Sequence, residues 1–104
     1  MKTFRYKWDD ETWLIHIEAN NAGCDKRSIK CSRVMNDGTS GHENRISVEA
    51  GESYRFILSR DSVQEIGVDI EFDTELSLKI FRLQDRAYLP GDSDIVYNTD
   101  GYRA

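Results

Sequence analysis

The sequence has little proline, cysteine or histidine and no long apolar run. Its 104 residues include one proline, two cysteines and two histidines. No stretch approaches the roughly 20 apolar residues that cross a bilayer, and the N-terminal segment alternates in polarity instead of forming a signal-peptide core. Cys24 and Cys31 are too few for a disulfide scaffold or a zinc site, so we expect reduced thiols in a cytoplasmic protein. A bridge between the two stays open, provided that their Cβ atoms lie about 4 Å apart.

Motifs of catalysis and nucleotide binding are also absent. The chain has no Walker loop, no GxGxxG, no HExxH and no EF-hand spacing of oxygen ligands. Only His16 and His42 could serve as a histidine base, and neither has a supporting motif. We therefore predict a non-enzymatic protein with no catalytic residues, no metal site and no cofactor. A small enzyme that uses His16 or Cys24 is the weakest alternative.

An excess of basic residues is missing as well. The chain has 14 basic and 19 acidic residues, a formal net charge of −5. This balance argues against direct binding to nucleic acid or to an anionic membrane. Residues 53–104 hold 6 basic and 10 acidic side chains, whereas residues 1–52 hold 8 and 9. The second half of the chain therefore carries most of the net negative charge.

What the sequence does contain is alternation of apolar and polar residues with a period of two. Phe4, Tyr6 and Trp8 alternate with two basic residues, a pattern typical of half-buried strands. No segment of helical period is found, and about seven such strands follow one another. We predict one all-β domain over residues 1–104, a single antiparallel β-sandwich with little or no helix, with a small β-barrel as the alternative. Residues 85–104 are expected to form an irregular C-terminal tail.

Three pairs of alternating segments are predicted to form hairpins. Strands that pair side by side must present their apolar residues on the same face, which restricts the loop between them to an odd or an even length. The pairs that satisfy this rule are residues 4–8 with 13–17, 46–48 with 54–58, and 66–72 with 76–80. In the last pair Asp69 is expected opposite Lys79.

A run of acids stands out in residues 61–75, which hold six acidic and no basic side chains. On a strand, Asp69, Glu71 and Asp73 would project from one face at intervals of about 6.6 to 6.8 Å, similar to the phosphate spacing of a nucleic-acid strand. This acidic stripe predicts a face that occupies a basic groove of a partner protein. A solvated outer face that maintains solubility is the competing interpretation.

The predicted function is a protein-binding module or small inhibitor, whose partner could itself be a nucleic-acid-binding protein. The predicted partner-binding residues are the acidic stripe together with Ile57 and Phe81, two apolar residues expected on outer faces. A homodimer is compatible with the same surface. The alternative is a carbohydrate-binding β-sandwich module in which Trp8 and Trp13 would stack on sugar, although both tryptophans also fit a buried ladder.

Overall fold

Two four-stranded antiparallel sheets pack face to face in the computed structural model, which describes residues 1–100. Sheet I has the strand order β1-β6-β3-β4 and sheet II the order β5-β2-β7-β8. This arrangement confirms the predicted β-sandwich, with eight strands in place of about seven, and the described residues form no closed barrel. The elements are β1 (Lys2–Lys7), β2 (Leu14–Asn21), β3 (Arg27–Met35), β4 (Ser40–Val48), β5 (Ser53–Ser59), β6 (Glu65–Phe72), β7 (Leu76–Leu83), a short 3₁₀ helix (Asp92–Asp94) and β8 (Ile95–Asn98).

The core lies between the sheets and is built from alternate residues of the strands. Ile15 and Ile17 of β2 and Ile70 and Phe72 of β6 all belong to this core, and their four side chains are fully buried. Burying an aliphatic or aromatic side chain of this size contributes about 1.5 to 3 kcal/mol. The apolar residues that alternate in the sequence thus form the inner face of each sheet.

All three predicted hairpins are wrong. Strand β1 pairs with β6 and not with β2, while the β4–β5 and β6–β7 connections each cross from sheet I to sheet II. The reason is geometric: inward-facing residues of two strands meet across the core of a sandwich just as they meet side by side in a hairpin. The parity of the loop is therefore the same in both cases.

The cross-strand partners change accordingly. Asp69 lies opposite Arg5 and Ser32, whereas Lys79 lies opposite Glu18 in the other sheet. The predicted pair of Asp69 with Lys79 is therefore wrong as well.

Consecutive strands run in opposite directions, so the connections gather at two ends of the sandwich. The apical end consists of residues 8–13, 36–39, 60–64 and 84–94, and the basal end of residues 22–26, 49–52, 73–75 and 99–100. Within the segment expected to be irregular, residues 92–98 form the 3₁₀ helix and β8, which pairs with β7. The last four residues of that segment, 101–104, lie outside the described residues.

Candidate functional site

Two of the three residues of the acidic stripe, Asp69 and Glu71, lie on the outer face of sheet I, and each is paired with a cation. The Asp69 carboxylate accepts two hydrogen bonds from the Arg5 guanidinium, at 2.6 and 2.9 Å. The Lys30 ammonium lies 3.5 Å from the Glu71 carboxylate. Asp73 follows β6 and accepts a hydrogen bond from the backbone N–H of Ser28 at 3.0 Å.

These pairs remove the acidic character of the face. The hydrogen bond from Arg5 lowers the pKa of Asp69, so its carboxylate is ionised but its charge is compensated. Across the four strands the outer face carries four basic and three acidic side chains, a formal net charge of +1. They are Arg5, Lys7, Lys30 and Arg45 against Glu43, Asp69 and Glu71.

Ile57 and Phe81 lie on the outer face of sheet II, on the opposite side of the molecule. Both stand beside His16 of β2, and the Phe81 ring meets the His16 ring edge-on at 5.5 Å. Phe81 is only 5% exposed. Arg86, in the connection after β7, hydrogen-bonds the Ser59 hydroxyl at the end of β5. The structure therefore does not bring the five predicted partner-binding residues together.

Negative charge is concentrated in the connections and positive charge in the strands. The apical connections hold eight acidic and two basic residues, a formal net of −6, and the basal connections hold six and one, a net of −5. The eight strands hold ten basic and five acidic residues. The two ends of the sandwich are thus acidic, while its flat faces are not.

Among residues 1–100, five of the seven large apolar side chains that are exposed lie at or beside the apical end. The Arg60 guanidinium lies 4.9 Å from the Trp13 ring centroid. It also donates hydrogen bonds to the backbone carbonyl oxygens of Val63, at 3.1 Å, and of Glu65, the residue before Ile66, at 2.8 Å. Val63 is 70% exposed and Trp13 39%. Together with Tyr88 and Leu89 of the neighbouring connection, which are also exposed, they form what we call the apical patch: Trp13, Val63, Ile66, Tyr88 and Leu89.

A buried ionic cluster holds the loops beneath the apical patch. The Glu65 carboxylate accepts the indole N–H of Trp8 at 2.6 Å, an N–H of Arg33 at 3.1 Å and the backbone N–H of Asp61 at 3.1 Å. Arg33 also donates to the carbonyl oxygen of Ser59 at 2.5 Å. The ends of β1, β3, β5 and β6 are therefore joined by one set of charge-assisted hydrogen bonds.

Sequence reasoning missed the apical patch for a local reason. Val63 stands alone among polar residues, and a single apolar residue in a turn gives no periodic signal. Ile66 fits the inward pattern of β6, but a register shift between β3 and β6 near Met35 turns it toward solvent and Glu65 inward. The one signal in the sequence that pointed to the apical patch was Val63, a lone apolar residue inside a polar loop.

The residues considered for catalysis are scattered. Cys31 is buried in the core, where desolvation raises its thiol pKa to about 12, and Cys24 is exposed at the basal end; the two are not bridged. The His16 imidazole lies 3.2 Å from the Glu18 carboxylate, while His42 is exposed on β4. Residues 1–100 contain no group of three or more His, Cys, Asp or Glu side chains arranged to hold a metal ion.

Comparison of the chain with protein-family models, with curated proteins and with solved structures finds no match. No helix in the described part of the chain is long and apolar enough to cross a membrane. The case for a function therefore depends on the geometry of this chain alone.

Proposed function

We propose that this chain is a non-enzymatic module that binds another protein through the apical patch. The observation that carries the proposal is the grouping of five exposed apolar side chains, two of them aromatic, at one end of the sandwich. Scattered exposed apolar residues are ordinary, but a grouped set with a polar rim is typical of an interaction site. Tryptophan, tyrosine and arginine, all present here, are enriched in the energetic centres of interfaces.

The acids around the apical patch define the partner. Asp10, Glu11, Asp61 and Asp85 lie in the apical connections and are exposed. A rim of this sign attracts and orients a basic surface. The chain would then act as a small inhibitor that covers a basic groove, including the groove of a nucleic-acid-binding protein, with its apical loops.

The acidic stripe supports this role less well than the apical loops do. Each of Asp69 and Glu71 already has a cationic neighbour, so a basic partner would have to displace Arg5 or Lys30. By contrast, Asp10 and Glu11 make no ion pair with any residue in the range 1–100. We further propose a cytoplasmic location, which two free cysteines support.

The test is affinity capture from a native lysate with the immobilised chain. The variant Val63→Ser/Leu89→Ser removes apical apolar surface at exposed positions, and Tyr54→Ser is its control because Tyr54 is exposed elsewhere on the surface. We expect one basic protein to be retained by the wild type and by the control, and to be lost with the apical variant. Capture should weaken at about 1 M salt, where the screening length falls to about 3 Å.

A second pair of variants separates the two acidic surfaces. Asp10→Asn/Glu11→Gln should weaken capture, while Asp69→Asn/Glu71→Gln should leave it unchanged. The reverse result would place the interface on the outer face of sheet I and contradict the proposal.

A further inference from the structure

A polar groove lies on the outer face of sheet II, away from the apical patch. It has a volume of about 530 Å³ and its floor is formed by β5, β2 and β7. Volumes of this order accommodate small ligands. Besides Asp100, six polar side chains of these strands line it: Glu18, Asn20, Ser53, Arg55, Ser77 and Lys79.

The strand register sets these side chains in two rows. Arg55 and Lys79 both lie opposite Glu18, and Ser53 and Ser77 both lie opposite Asn20. With strands about 4.8 Å apart and a step of about 6.7 Å between alternate residues, the rows cover roughly 10 by 7 Å of sheet. The polar groups therefore form a compact grid.

Much of the hydrogen-bonding capacity of the grid is unused. No side-chain hydrogen bond or ion pair joins Arg55, Ser77 or Lys79 to any other residue between 1 and 100. The hydroxyl of Ser53 donates to the side-chain oxygen Oδ1 of Asn20 at 3.0 Å, which leaves the side-chain N–H groups of Asn20 for another acceptor. One oxygen of Glu18 is engaged by His16 at 3.2 Å and the other faces no protein donor among these residues.

The charges in the groove cancel. Arg55 and Lys79 are balanced by Glu18 and by Asp100, which lines the rim. A ligand that carries a net charge would gain little from such a site, whereas one whose groups both donate and accept hydrogen bonds could satisfy the whole grid. Hydroxyl groups have this property.

We propose that the groove binds a neutral, polyhydroxylated ligand, namely an uncharged oligosaccharide. Recognition would come from hydrogen bonds to Arg55, Lys79 and Asn20. This site does not involve Trp8 or Trp13, and it does not depend on the proposed protein-binding role of the apical patch.

The test is a titration of the full chain with maltotriose, cellotriose and chitotriose. Binding is monitored through the NMR chemical shifts of the backbone amides. At about 10 mM, a concentration that detects millimolar affinity, we expect at least one of the three to shift the amides of residues 18–20, 53–55 and 77–79. The shifts should saturate and should be absent from residues 60–66. Arg55→Met and Lys79→Met should each weaken binding about tenfold, which corresponds to loss of one hydrogen bond to a charged group. Arg45→Met, on the other sheet, should leave the affinity unchanged.

Three results would overturn the proposal. One is the absence of shifts with all three neutral sugars. Another is binding of trigalacturonate alone that disappears at about 1 M salt, which would make the groove an anion site. The last is a response confined to residues 60–66. Since the apical variant Val63→Ser/Leu89→Ser leaves the groove intact, it should bind the sugar normally even if the protein-binding proposal fails.

Discussion

Glu65 is a buried acid whose carboxylate accepts hydrogen bonds from three different residues. It is 1% exposed and meets Arg33, which is 5% exposed, beneath the apical patch. Two ions removed from water lose hydration, and their mutual attraction repays this loss only when the remaining donors and acceptors are satisfied. Here the indole of Trp8 and the backbone of Asp61 supply further bonds to the carboxylate, whereas the buried Arg33 Nε has no hydrogen-bond partner among residues 1–100.

Glu65→Ala should therefore lower the free energy of unfolding by about 3 to 5 kcal/mol, because it leaves the Arg33 charge buried without a partner. The control Glu71→Ala removes an exposed pair and should cost about 1 kcal/mol or less. Urea denaturation followed by tryptophan fluorescence measures both. A double variant, Arg33→Met/Glu65→Leu, should be less destabilised than Glu65→Ala alone, and equal losses would contradict the ionic explanation.

Asp69 makes stability depend on pH. Arg5 lowers its pKa in the folded protein, while in the unfolded chain the pKa of an aspartate is about 3.9. The stabilisation is therefore complete above the unfolded value and is lost as the pH falls through the folded value. We expect the wild type to be more stable than Asp69→Asn at about pH 7, with the difference decreasing progressively between about pH 5 and pH 1.

Denaturation curves of these two proteins between those limits provide the measurement. Asp73→Asn serves as the comparison, because Asp73 bonds a backbone N–H and no cation. A difference between wild type and Asp69→Asn that persists at the lowest pH would show that the pair with Arg5 is not its source.

At the scale of the element, β6 is a central strand that one of its neighbours approaches very closely. It lies between β1 and β3, and a Cβ added at Gly67 would stand 2.5 Å from the carbonyl oxygen of Tyr6. Only a residue without a side chain permits this approach of β1 to β6. The backbone of β1 would have to move to accept anything larger.

Gly67→Ala should accordingly destabilise the fold by about 1 to 3 kcal/mol, the range typical of an overpacked site. Gly91→Ala is a suitable control, since nothing lies within 4 Å of the Cβ it would add. Thermal denaturation of the two variants compares them directly. Equal melting temperatures would mean that β1 can shift without cost.

Considered as a whole molecule, the two sheets share a single core. Chain connections cross between the sheets after β1, β2, β4, β5 and β6, so neither sheet is a continuous part of the chain. The inner face of each sheet is covered only by the other. Neither sheet can fold alone, because each would expose its apolar face to water.

Unfolding should therefore be a single cooperative transition. In Trp13→Phe, fluorescence reports Trp8 at the apical end of sheet I, while far-UV circular dichroism reports both sheets. We expect the two signals to give the same midpoint in urea. Separate midpoints would show that the sheets unfold independently.

The strands themselves were predictable from the chain, and their pairing was not. Alternation at Tyr6 and Trp8, or at Ile15 and Ile17, places these residues inward, and all four are buried. The same alternation cannot distinguish a hairpin from a connection that crosses the core, because the inward faces meet in both. The acidic stripe shows the same limit: its spacing was visible in the sequence, but Arg5 and Lys30 approach it from strands far away in the chain.

The sequence by itself determined that this protein is built of strands and which residues of most strands face inward, because a period of two sorts side chains without reference to any neighbour. Only the tertiary structure decided which strands share a sheet, how the connections gather at two acidic ends, and that Arg60 contacts the Trp13 ring and the backbone of Val63 and Glu65. These features depend on contacts between distant parts of the chain, which local periodicity does not encode.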